Sequence, residues 1–440
     1  MIKKLLLSII AATALTNGAT AGGLMTNTNY HVAFDRMMAR GASTEIDAAY
    51  SNPAGLAWGY DGFQLSLDFQ KPWQNRDIEV NGTTYNGKAS APIVPALFAS
   101  YKKDRWALST MIGIVGSGGF VKYDKGVPMF NVMMAGLLSQ NGITPDQYAI
   151  DSKMEGKQYI FGGQLNLTYK IIDCLSAAIG LRANYYDGFY RGHVIADNHP
   201  MLGKLAALEL DVDQKGWGFA PIVGLNFHEG PLTVAARYEF RTKIETENTT
   251  NLLSADLGTS LKQMMATTPE GQAKLQAIGQ TMGTYTAPYQ DGVKTRYDMP
   301  ALLSLAIGYE ITPRLRATAE YHFFDDKNAK MSGDRQEQLE GGTNEFLLGA
   351  EYDINDKLTV SLGGQRTDYG LSDGYQQDTS FACDSYSVGF GAAYNVTEKI
   401  RLNAGYFVTI YSDYTKAAAF GQETFSRTNN VIGAGIDIKF

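Results

Sequence analysis

Arginines in three separate stretches have the chemistry and placement of anion ligands. By the alternation of neighbouring residues, Arg182, Arg237 and Arg316 each lie on the polar face of their segment. A guanidinium can hold a carboxylate through two parallel hydrogen bonds, and a buried carboxylate is costly unless it is paired. The three arginines are therefore candidates for binding the acidic head group of a ligand. The alternative, and the commoner use of such arginines, is pairing with carboxylates of the protein itself, such as Glu45, Asp47, Glu239 and Glu320.

The histidines do not suggest catalysis. The chain has five, which are His31, His193, His199, His228 and His322, and none lies in a nucleophile motif such as Gly-x-Ser-x-Gly. His322 is close in sequence to Glu320, and His228 adjoins Glu229, but neither pair has a third group to complete a catalytic arrangement. We therefore expect no enzymatic activity, no catalytic residue, and no metal or other cofactor.

Two segments place apolar residues at helical spacing, namely residues 128–139 and 252–282. The candidates for contact with an apolar ligand are Phe130, Met133, Leu137, Leu261 and Met265. Methionine supplies a deformable apolar surface that suits flexible chains of varying length. Alternatively, the two segments pack against each other as a cap, and both interpretations can hold together.

The segments that carry the arginines alternate apolar and polar residues with period two. The clearest alternation is at the C-terminus, where one face is formed by Ile432, Ala434, Ile436, Ile438 and Phe440. The same pattern runs through residues 161–171, 232–241, 315–323, 358–364 and 400–410. In a membrane barrel one face of such a strand meets hydrocarbon and the other faces the interior. The pattern predicts an all-β chain, with a soluble sandwich as the alternative.

The connections between these segments alternate in length. Short turns are predicted at residues 102–105, 172–174, 228–230, 312–314, 355–357 and 396–399. Longer loops are predicted at residues 80–91, 122–155, 195–210, 247–290, 328–341, 370–379 and 412–420. Outer-membrane barrels have short periplasmic turns and longer outer loops. The spacing predicts a transmembrane antiparallel β-barrel of about 14 strands, with helical extracellular loops and both chain ends periplasmic.

The N-terminus indicates export. Lys3 and Lys4 precede an apolar run, and Ala19-Thr20-Ala21 is a small-x-small cleavage site, so residues 1–21 are predicted to be a signal peptide. Residues 22–61 do not alternate and contain charged side chains, which predicts a polar hatch, or plug, within the interior of a barrel formed by residues 62–440. The alternative for residues 22–61 is a disordered periplasmic tail.

Composition supports the barrel and excludes one class of partner. The 440 residues include 47 Gly, 26 Tyr and 20 Phe but only 13 Pro, a balance typical of strands and tight bends. The net charge of -7 argues against a nucleic-acid partner, since phosphate binding needs clustered Lys and Arg. Cys174 and Cys383 are too few for a disulfide framework, and we expect two free thiols.

The sequence from Asp47 to Ala57 carries a resemblance to a known family. The stretch Asp-Ala-Ala-Tyr-Ser-Asn-Pro-Ala-Gly-Leu-Ala, preceded by Arg-Gly-Ala-Ser at residues 40–43, resembles the hatch of the long-chain fatty-acid and aromatic-hydrocarbon transporters of the FadL and TodX type. The resemblance implies a 14-stranded barrel whose hatch presents the turn formed by Asn52, Pro53, Ala54 and Gly55 as a gate in the barrel interior. From the residues alone this segment is a rigid turn, because Pro53 fixes its own φ and restricts Asn52.

Glycines interrupt the third predicted strand. Residues 106–120 contain Gly113, Gly116, Gly118 and Gly119, and clustered glycines weaken a ladder and mark bulges or bends. The resemblance implies that a kink at Gly116, Gly118 and Gly119 opens the wall toward the bilayer. A smooth strand is the alternative.

The favoured function is passive uptake of hydrophobic compounds such as long-chain fatty acids. The expected partners are this ligand, outer-membrane lipid and lipopolysaccharide, and the barrel-insertion machinery, with the protein acting as a monomer in the outer membrane. A general porin and an outer-membrane enzyme are the alternatives.

Overall fold

Residues 24, 29–91, 93–139, 141–418 and 421–440 are described by a computed structural model, without the side chains of residues 117 and 118. The predicted signal peptide lies outside these residues. The described chain consists mainly of antiparallel strands, which form one sheet that closes on itself. Closure occurs between β1 (Gly62–Val80) and β18 (Gly421–Lys439), whose ladder runs from Gln64 opposite Lys439 to Val80 opposite Glu423.

The remaining strands follow in chain order around the barrel. Those of the N-terminal half are β2 (Thr83–Ser90), β3 (Val94–Lys103), β4 (Trp106–Tyr123), β5 (Ala149–Ile172), β6 (Leu175–Asp197), β7 (Ala206–Glu229), β8 (Leu232–Glu239) and β9 (Glu245–Leu257). Those of the C-terminal half are β10 (Lys294–Arg296), β11 (Leu302–Thr312), β12 (Leu315–Phe324), β13 (Thr343–Asp353), β14 (Leu358–Asp368), β15 (Ser385–Asn395), β16 (Ile400–Tyr411) and β17 (Tyr414–Ala418).

Four strands of the barrel are interrupted, which reconciles these segments with the predicted number. β2 continues into β3, β8 into β9, β10 into β11, and β16 into β17. β2 and β3 both pair with β1 and β4, β8 and β9 both pair with β7, β16 and β17 both pair with β18, and β10 and β11 pair with β9 and β8. Counting each pair once gives fourteen membrane strands. The predicted closed barrel of about 14 antiparallel strands is confirmed.

The outer ends of the strands are longer than the sequence suggested. Strands β5 and β7 each have 24 residues, whereas 9–11 tilted residues cross the hydrocarbon. The loop predicted at residues 80–91 is instead a tight turn at Asn81 and Gly82, both at positive φ, followed by β2. The helical pattern assigned to residues 252–282 was wrong at its start, because residues 252–257 continue β9 and pair with β7. The backbone of this stretch is held by the ladder with β7 rather than by a helix.

The helices lie in the hatch and in the outer loops. They are α1 (Val32–Met37), α2 (Ala48–Ser51), α3 (Pro128–Ser139), α4 (Thr259–Ala266) and α5 (Pro269–Thr286), and a 3-10 helix (Pro53–Trp58) precedes β1. Among the described helices none combines the length and apolar character needed to cross a membrane.

A belt of apolar side chains surrounds the outside of the barrel. These side chains alternate with buried polar ones along each strand, and large exposed examples are Phe63, Leu67, Phe69, Leu108, Ile112, Leu165, Ile179, Val223, Ile307, Leu348, Leu362, Phe390 and Ile432. Water would penalise such a surface, whereas hydrocarbon does not. The belt therefore identifies the wall as membrane-facing.

The hatch segment lies inside the barrel, and glycines in the wall allow helix α1 to approach it closely. A Cβ atom on Gly349 or Gly363 would lie 2.2 or 1.7 Å from the carbonyl oxygen of Met37. A Cβ on Gly389 would lie 2.4 Å from the carbonyl oxygen of Asp35. No side chain fits at these distances. The glycines of β13, β14 and β15 therefore form a floor on which the backbone of α1 rests.

We predict that Gly363→Ala displaces α1 and destabilises the hatch by about 1–3 kcal/mol, because the added methyl group overpacks the contact with Met37. Gly364→Ala is the matched control, since its Cβ would approach only the Ser387 carbonyl oxygen, at 3.5 Å. The measurement is protease cleavage of the hatch in the folded, heat-modifiable barrel. Equal cleavage of the two variants would show that the floor does not hold the hatch.

Candidate functional site

The Asn-Pro-Ala turn forms a rigid corner of the hatch. Asn52 caps the 3-10 helix, because its Oδ1 accepts a hydrogen bond from the backbone N–H of Ala54 at 3.3 Å. Pro53 occupies the first helical position, where the absence of an N–H costs nothing. Only glycine fits at position 55, since a Cβ on Gly55 would lie 2.2 Å from the Ser43 carbonyl oxygen. The sequence-predicted turn is therefore fixed by its own side chains.

The wall holds this turn by its backbone carbonyl groups. Thr168 donates to the carbonyl oxygen of Pro53 at 2.8 Å, and Ser176 donates to that of Ala54 at 2.7 Å. The Asn52 Nδ2 in turn donates to the Leu225 carbonyl oxygen at 2.9 Å. Thr168, Ser176 and Leu225 lie close to the short turns of β5, β6 and β7. The turn is therefore attached at the end of the barrel opposite the helical loops.

Two of the candidate arginines share one carboxylate. Arg182 and Arg237 point into the barrel, are almost fully buried, and both form ion pairs with Glu239. The ring of Tyr50, on hatch helix α2, lies 5.4 and 5.3 Å from the two guanidinium groups. Removing Glu239 would leave two buried cations, at a cost of about 3–5 kcal/mol. The two arginines thus have protein partners, and their role as ligand contacts stays a prediction.

The third candidate also has partners in the wall. Arg316 donates to Glu351 and to Asp353, both at 2.8 Å. Glu351 additionally pairs with Arg36 of α1 and lies 3.6 Å from Arg40 of the hatch. The alternative interpretation of these arginines, pairing with wall carboxylates, describes the geometry of Arg316 as well. Arg316 belongs to a network of ion pairs that attaches the hatch to β12 and β13.

His322 lies in a second group of polar contacts that attaches the hatch to the wall. Its Nε2 lies 2.6 Å from Glu320 and its Nδ1 lies 2.8 Å from Glu345. Glu320 also accepts hydrogen bonds from the backbone N–H groups of Arg40 and Gly41, at 2.9 and 2.8 Å. Sequence reasoning missed Glu345, since only the register of β12 against β13 places it opposite His322. The hydroxyl of Ser304 also donates to Glu320, at 3.0 Å, so the cluster is a network of polar contacts that holds the hatch.

A third attachment joins the hatch to the closing seam of the barrel. His31 Nε2 lies 3.1 Å from Asp437 of β18 and 3.7 Å from Asp68 of β1. Its Nδ1 accepts the backbone N–H of Ala33 at 3.0 Å, so the proton of the neutral ring is on Nε2. A ring nitrogen that carries a proton cannot bind a metal ion. The group therefore fits a hydrogen bond from His31 to Asp437, with the Asp68 carboxylate nearby, better than metal coordination.

The helical loops form one apolar cluster outside the membrane belt. Met133, Leu137, Leu261 and Met265 are buried in it, and Phe130 packs against it. It joins α3 to α4 and α5 and rests on the outer ends of β6, β7 and β9. The cap interpretation accounts for the burial of these residues. Ligand contact by the same residues stays a prediction.

The third strand of the barrel, β4, is irregular at its glycines. Its ladder with β5 shifts register between Ile114 and Gly116 and again between Ser117 and Gly119. Gly119 has φ +71°, a conformation that residues with side chains rarely adopt. On the other side of β4, the described ladder stops at Ala96 opposite Gly113 and resumes at Ser90 opposite Phe120. Among the described residues, the ladder of β4 with β2 and β3 is therefore interrupted beside these glycines.

A cavity of about 150 Å³ inside the barrel adjoins this irregular stretch. Gly116 and Gly119 line it from β4, and apolar lining is supplied by Val94, Ile114, Phe407 and Val431. Its polar lining includes Arg76 and Arg427, which were not among the sequence-predicted residues. No sequence signal could have paired them, because they meet only through the closure of β1 onto β18.

Comparison with known proteins agrees with this geometry. Residues 258–440 match the family model of the outer membrane protein beta-barrel domain. A search of curated proteins found no match. Among solved structures, a FadL homologue of Pseudomonas aeruginosa is similar with a TM-score of 0.66 and 15% identity, over 96% of this chain and 100% of the other.

Two further structures share the architecture. The toluene transporter TodX of P. putida gives a TM-score of 0.57 at 14% identity, over 90% of this chain and 95% of the other. The toluene transporter TbuX of Ralstonia pickettii gives 0.52 at 15% identity, over 90% and 94%. The apolar belt and the closed sheet define this protein as a β-barrel of the outer-membrane type. Its fold is that of the FadL and TodX type, as the hatch motif indicated.

Asp35 of α1 provides a test of how the hatch is held. It is fully buried and accepts a hydrogen bond from Gln70 at 2.9 Å. Burial, and then the charge of Asp68, raise the pKa of its carboxyl well above the ordinary 3.8, whereas His31 opposes this only in part. Folding therefore takes up a proton at Asp35. The protonation of Asp35 contributes most to the stability of the folded state below about pH 4. This contribution is lost as the pH rises toward the raised pKa.

We predict that Asp35→Asn raises the unfolding temperature of the barrel at pH 7 and has a smaller effect at pH 4, because the amide resembles the protonated acid. Asp104→Asn, in the exposed turn between β3 and β4, is the matched control and should leave the unfolding temperature nearly unchanged at both pH values. Thermal unfolding of both variants at the two pH values is the measurement. A variant Asp35→Asn that is less stable than wild type at pH 7 would contradict the assignment.

Proposed function

We propose that this protein carries hydrophobic compounds passively across the bacterial outer membrane, with both chain ends in the periplasm. The observation that carries the proposal is the position of the inner cavity, directly beside the stretch of β4 where the ladder shifts register. The inner cavity of this plugged barrel combines polar lining with apolar lining from Val94, Ile114, Phe407 and Val431, which suits a ligand with an apolar part. The solved structures of similar fold include transporters of toluene.

The exit that we propose is lateral, into the bilayer. An apolar groove of about 920 Å³ runs along the outside of the barrel and is lined by Phe69, Ile93 and Phe390. Gln70 lines both this groove and the inner cavity. Gln70 also donates to Asp35 of α1, so it joins the hatch to the wall between the two spaces. A shift of the hatch would therefore move a residue that separates the interior from the membrane.

The entrance lies at the helical loops. A second cavity, of about 470 Å³, opens between the end of β9 and helices α4 and α5 and is lined by Leu257, Leu275, Ile278 and Met282. Its lining is mainly apolar and lies on the outer side of the membrane belt. A ligand with a flexible hydrocarbon chain could be captured there before entering the barrel.

The general porin is the competing function, and the hatch argues against it. A porin keeps an open, polar water channel, whereas here the hatch is bonded to wall residues from β1 to β18 and fills part of the interior. Purified protein in a planar bilayer should therefore give no large steady conductance. A large steady conductance would support the porin function instead.

We predict that Gly119→Val lowers uptake of hydrophobic substrate several-fold while the barrel still folds. Valine disfavours the positive φ that the second register shift requires, and so favours a regular, closed ladder at β4. The measurement is uptake of radiolabelled oleate and toluene by cells that produce the variant as their only transporter of this kind. Heat-modifiable migration reports whether the barrel has folded.

Gly163→Val is the matched control. Gly163 lies on the neighbouring strand β5, opposite Ile112, and a Cβ there would meet nothing within 4 Å. It should leave uptake unchanged. Uptake by Gly119→Val equal to that of Gly163→Val, at equal surface abundance, would remove β4 from the transport path.

A further inference from the structure

Two arginines, the buried Arg76 and the partly buried Arg427, face each other across the closing seam of the barrel. Arg76 of β1 and Arg427 of β18 are directly opposite in the ladder, and both line the inner cavity. Like charges directly opposite each other in a sheet are destabilising. This arrangement therefore needs a compensating charge.

The protein does not supply that charge. In the described part of the chain, no carboxylate oxygen lies within 4 Å of either guanidinium group, and Arg76 forms no hydrogen bond. Arg427 makes a single long contact, 3.5 Å to Gln74, and its guanidinium lies 4.7 Å from the ring of Tyr411. Only 5% of the Arg76 surface is exposed, so bulk water does not solvate it fully.

Most other arginines that point into the barrel pair with a carboxylate, as the pairs Arg36–Glu351, Arg40–Asp47, Arg182–Glu239, Arg237–Glu239 and Arg401–Glu45 show. The buried Arg335 instead donates to the carbonyl oxygens of Tyr375 and Ser380. The arginines that attach the hatch to the wall are thus neutralised by carboxylates. Arg76 and Arg427 instead leave their donors directed at a cavity.

We propose, building on the transport function above, that the inner cavity binds amphiphiles with a dianionic head group, such as a phosphate monoester, between Arg76 and Arg427. Two guanidinium charges are balanced by two negative charges, whereas a monocarboxylate would balance only one. A phosphate monoester carries close to two charges above pH 7 and offers three acceptor oxygens, which suits two forked donors. The apolar lining from Val94, Ile114 and Val431 receives the first carbons of the tail.

The size and position of the cavity agree with this assignment. About 150 Å³ accommodates a head group and a short part of a chain, but no complete long-chain lipid. The rest of the tail must leave the cavity, and Gly116 and Gly119 of the irregular strand form the adjacent wall. The site therefore orients an amphiphile with its head group at the seam and its tail toward β4.

The test compares ligands that share one tail. Dodecyl phosphate, dodecanoate and dodecanol are titrated into purified wild-type protein in an uncharged detergent at about pH 8, where the phosphate is dianionic. We expect dodecyl phosphate to bind at least about tenfold more tightly than dodecanoate, and dodecanol most weakly. Inorganic phosphate, titrated separately, should bind far more weakly than dodecyl phosphate because it lacks the tail.

The variants Arg76→Gln and Arg427→Gln should each lose at least about tenfold in affinity for dodecyl phosphate and change little toward dodecanol. The matched control is Arg191→Gln, which removes the same charge at an exposed outer position where Arg191 pairs with Asp211. If the cavity residues only support the barrel, both cavity variants should unfold at a lower temperature. We expect instead an equal or higher unfolding temperature without ligand, because the repulsion is relieved.

The outcomes separate this inference from the proposed function. Equal binding of all three amphiphiles, or equal binding of dodecyl phosphate and dodecanoate, would overturn the dianion site and leave hydrophobic transport standing. Inorganic phosphate binding as tightly as dodecyl phosphate would overturn the assignment to an amphiphile. Failure of all three amphiphiles to bind would contradict both.

Discussion

The closure of β1 onto β18 is the interaction on which the rest of this structure depends. In hydrocarbon an unpaired strand edge leaves backbone N–H and C=O groups without partners, at several kcal/mol each, so a spanning sheet must close. Closure brings the first strand against the last and creates an enclosed interior. It also places Asp68 beside Asp437, where they receive His31 of the hatch, and sets Arg76 opposite Arg427.

Polar contacts between the hatch and the wall then fill the interior, because groups enclosed in the barrel need partners. Because charges buried in the barrel are costly when alone, the arginines of the hatch and wall find carboxylates, and the backbone of the hatch finds wall hydroxyl and amide groups. Close approach requires glycine in the wall, as at Gly363 beneath Met37. Two departures from this pattern lie beside one cavity: the irregular ladder of β4, and the facing arginines Arg76 and Arg427, which have no carboxylate partner among the described residues.

Much of the fold could be predicted from the sequence. Alternation with period two, a C-terminal strand that ends on Phe440, and short turns opposite long loops lead to a closed barrel of about fourteen strands, since these features follow from local contact with hydrocarbon. The helix at residues 128–139 could also be predicted from the helical spacing of its apolar residues. Residues 252–257 were misassigned, because apolar side chains on a strand that extends beyond the membrane no longer alternate with polar ones.

The site was predictable only where local geometry governs it. Asn52 and Pro53 specify a rigid turn by their own stereochemistry, and clustered glycines mark the irregular part of β4. By contrast, the sequence shows that Arg182, Arg237 and Arg316 face the interior but not which acids they meet. It gives no sign at all that Arg76 faces Arg427. Such pairings depend on strand register and on closure between residues far apart in the chain, and only the tertiary structure fixes those.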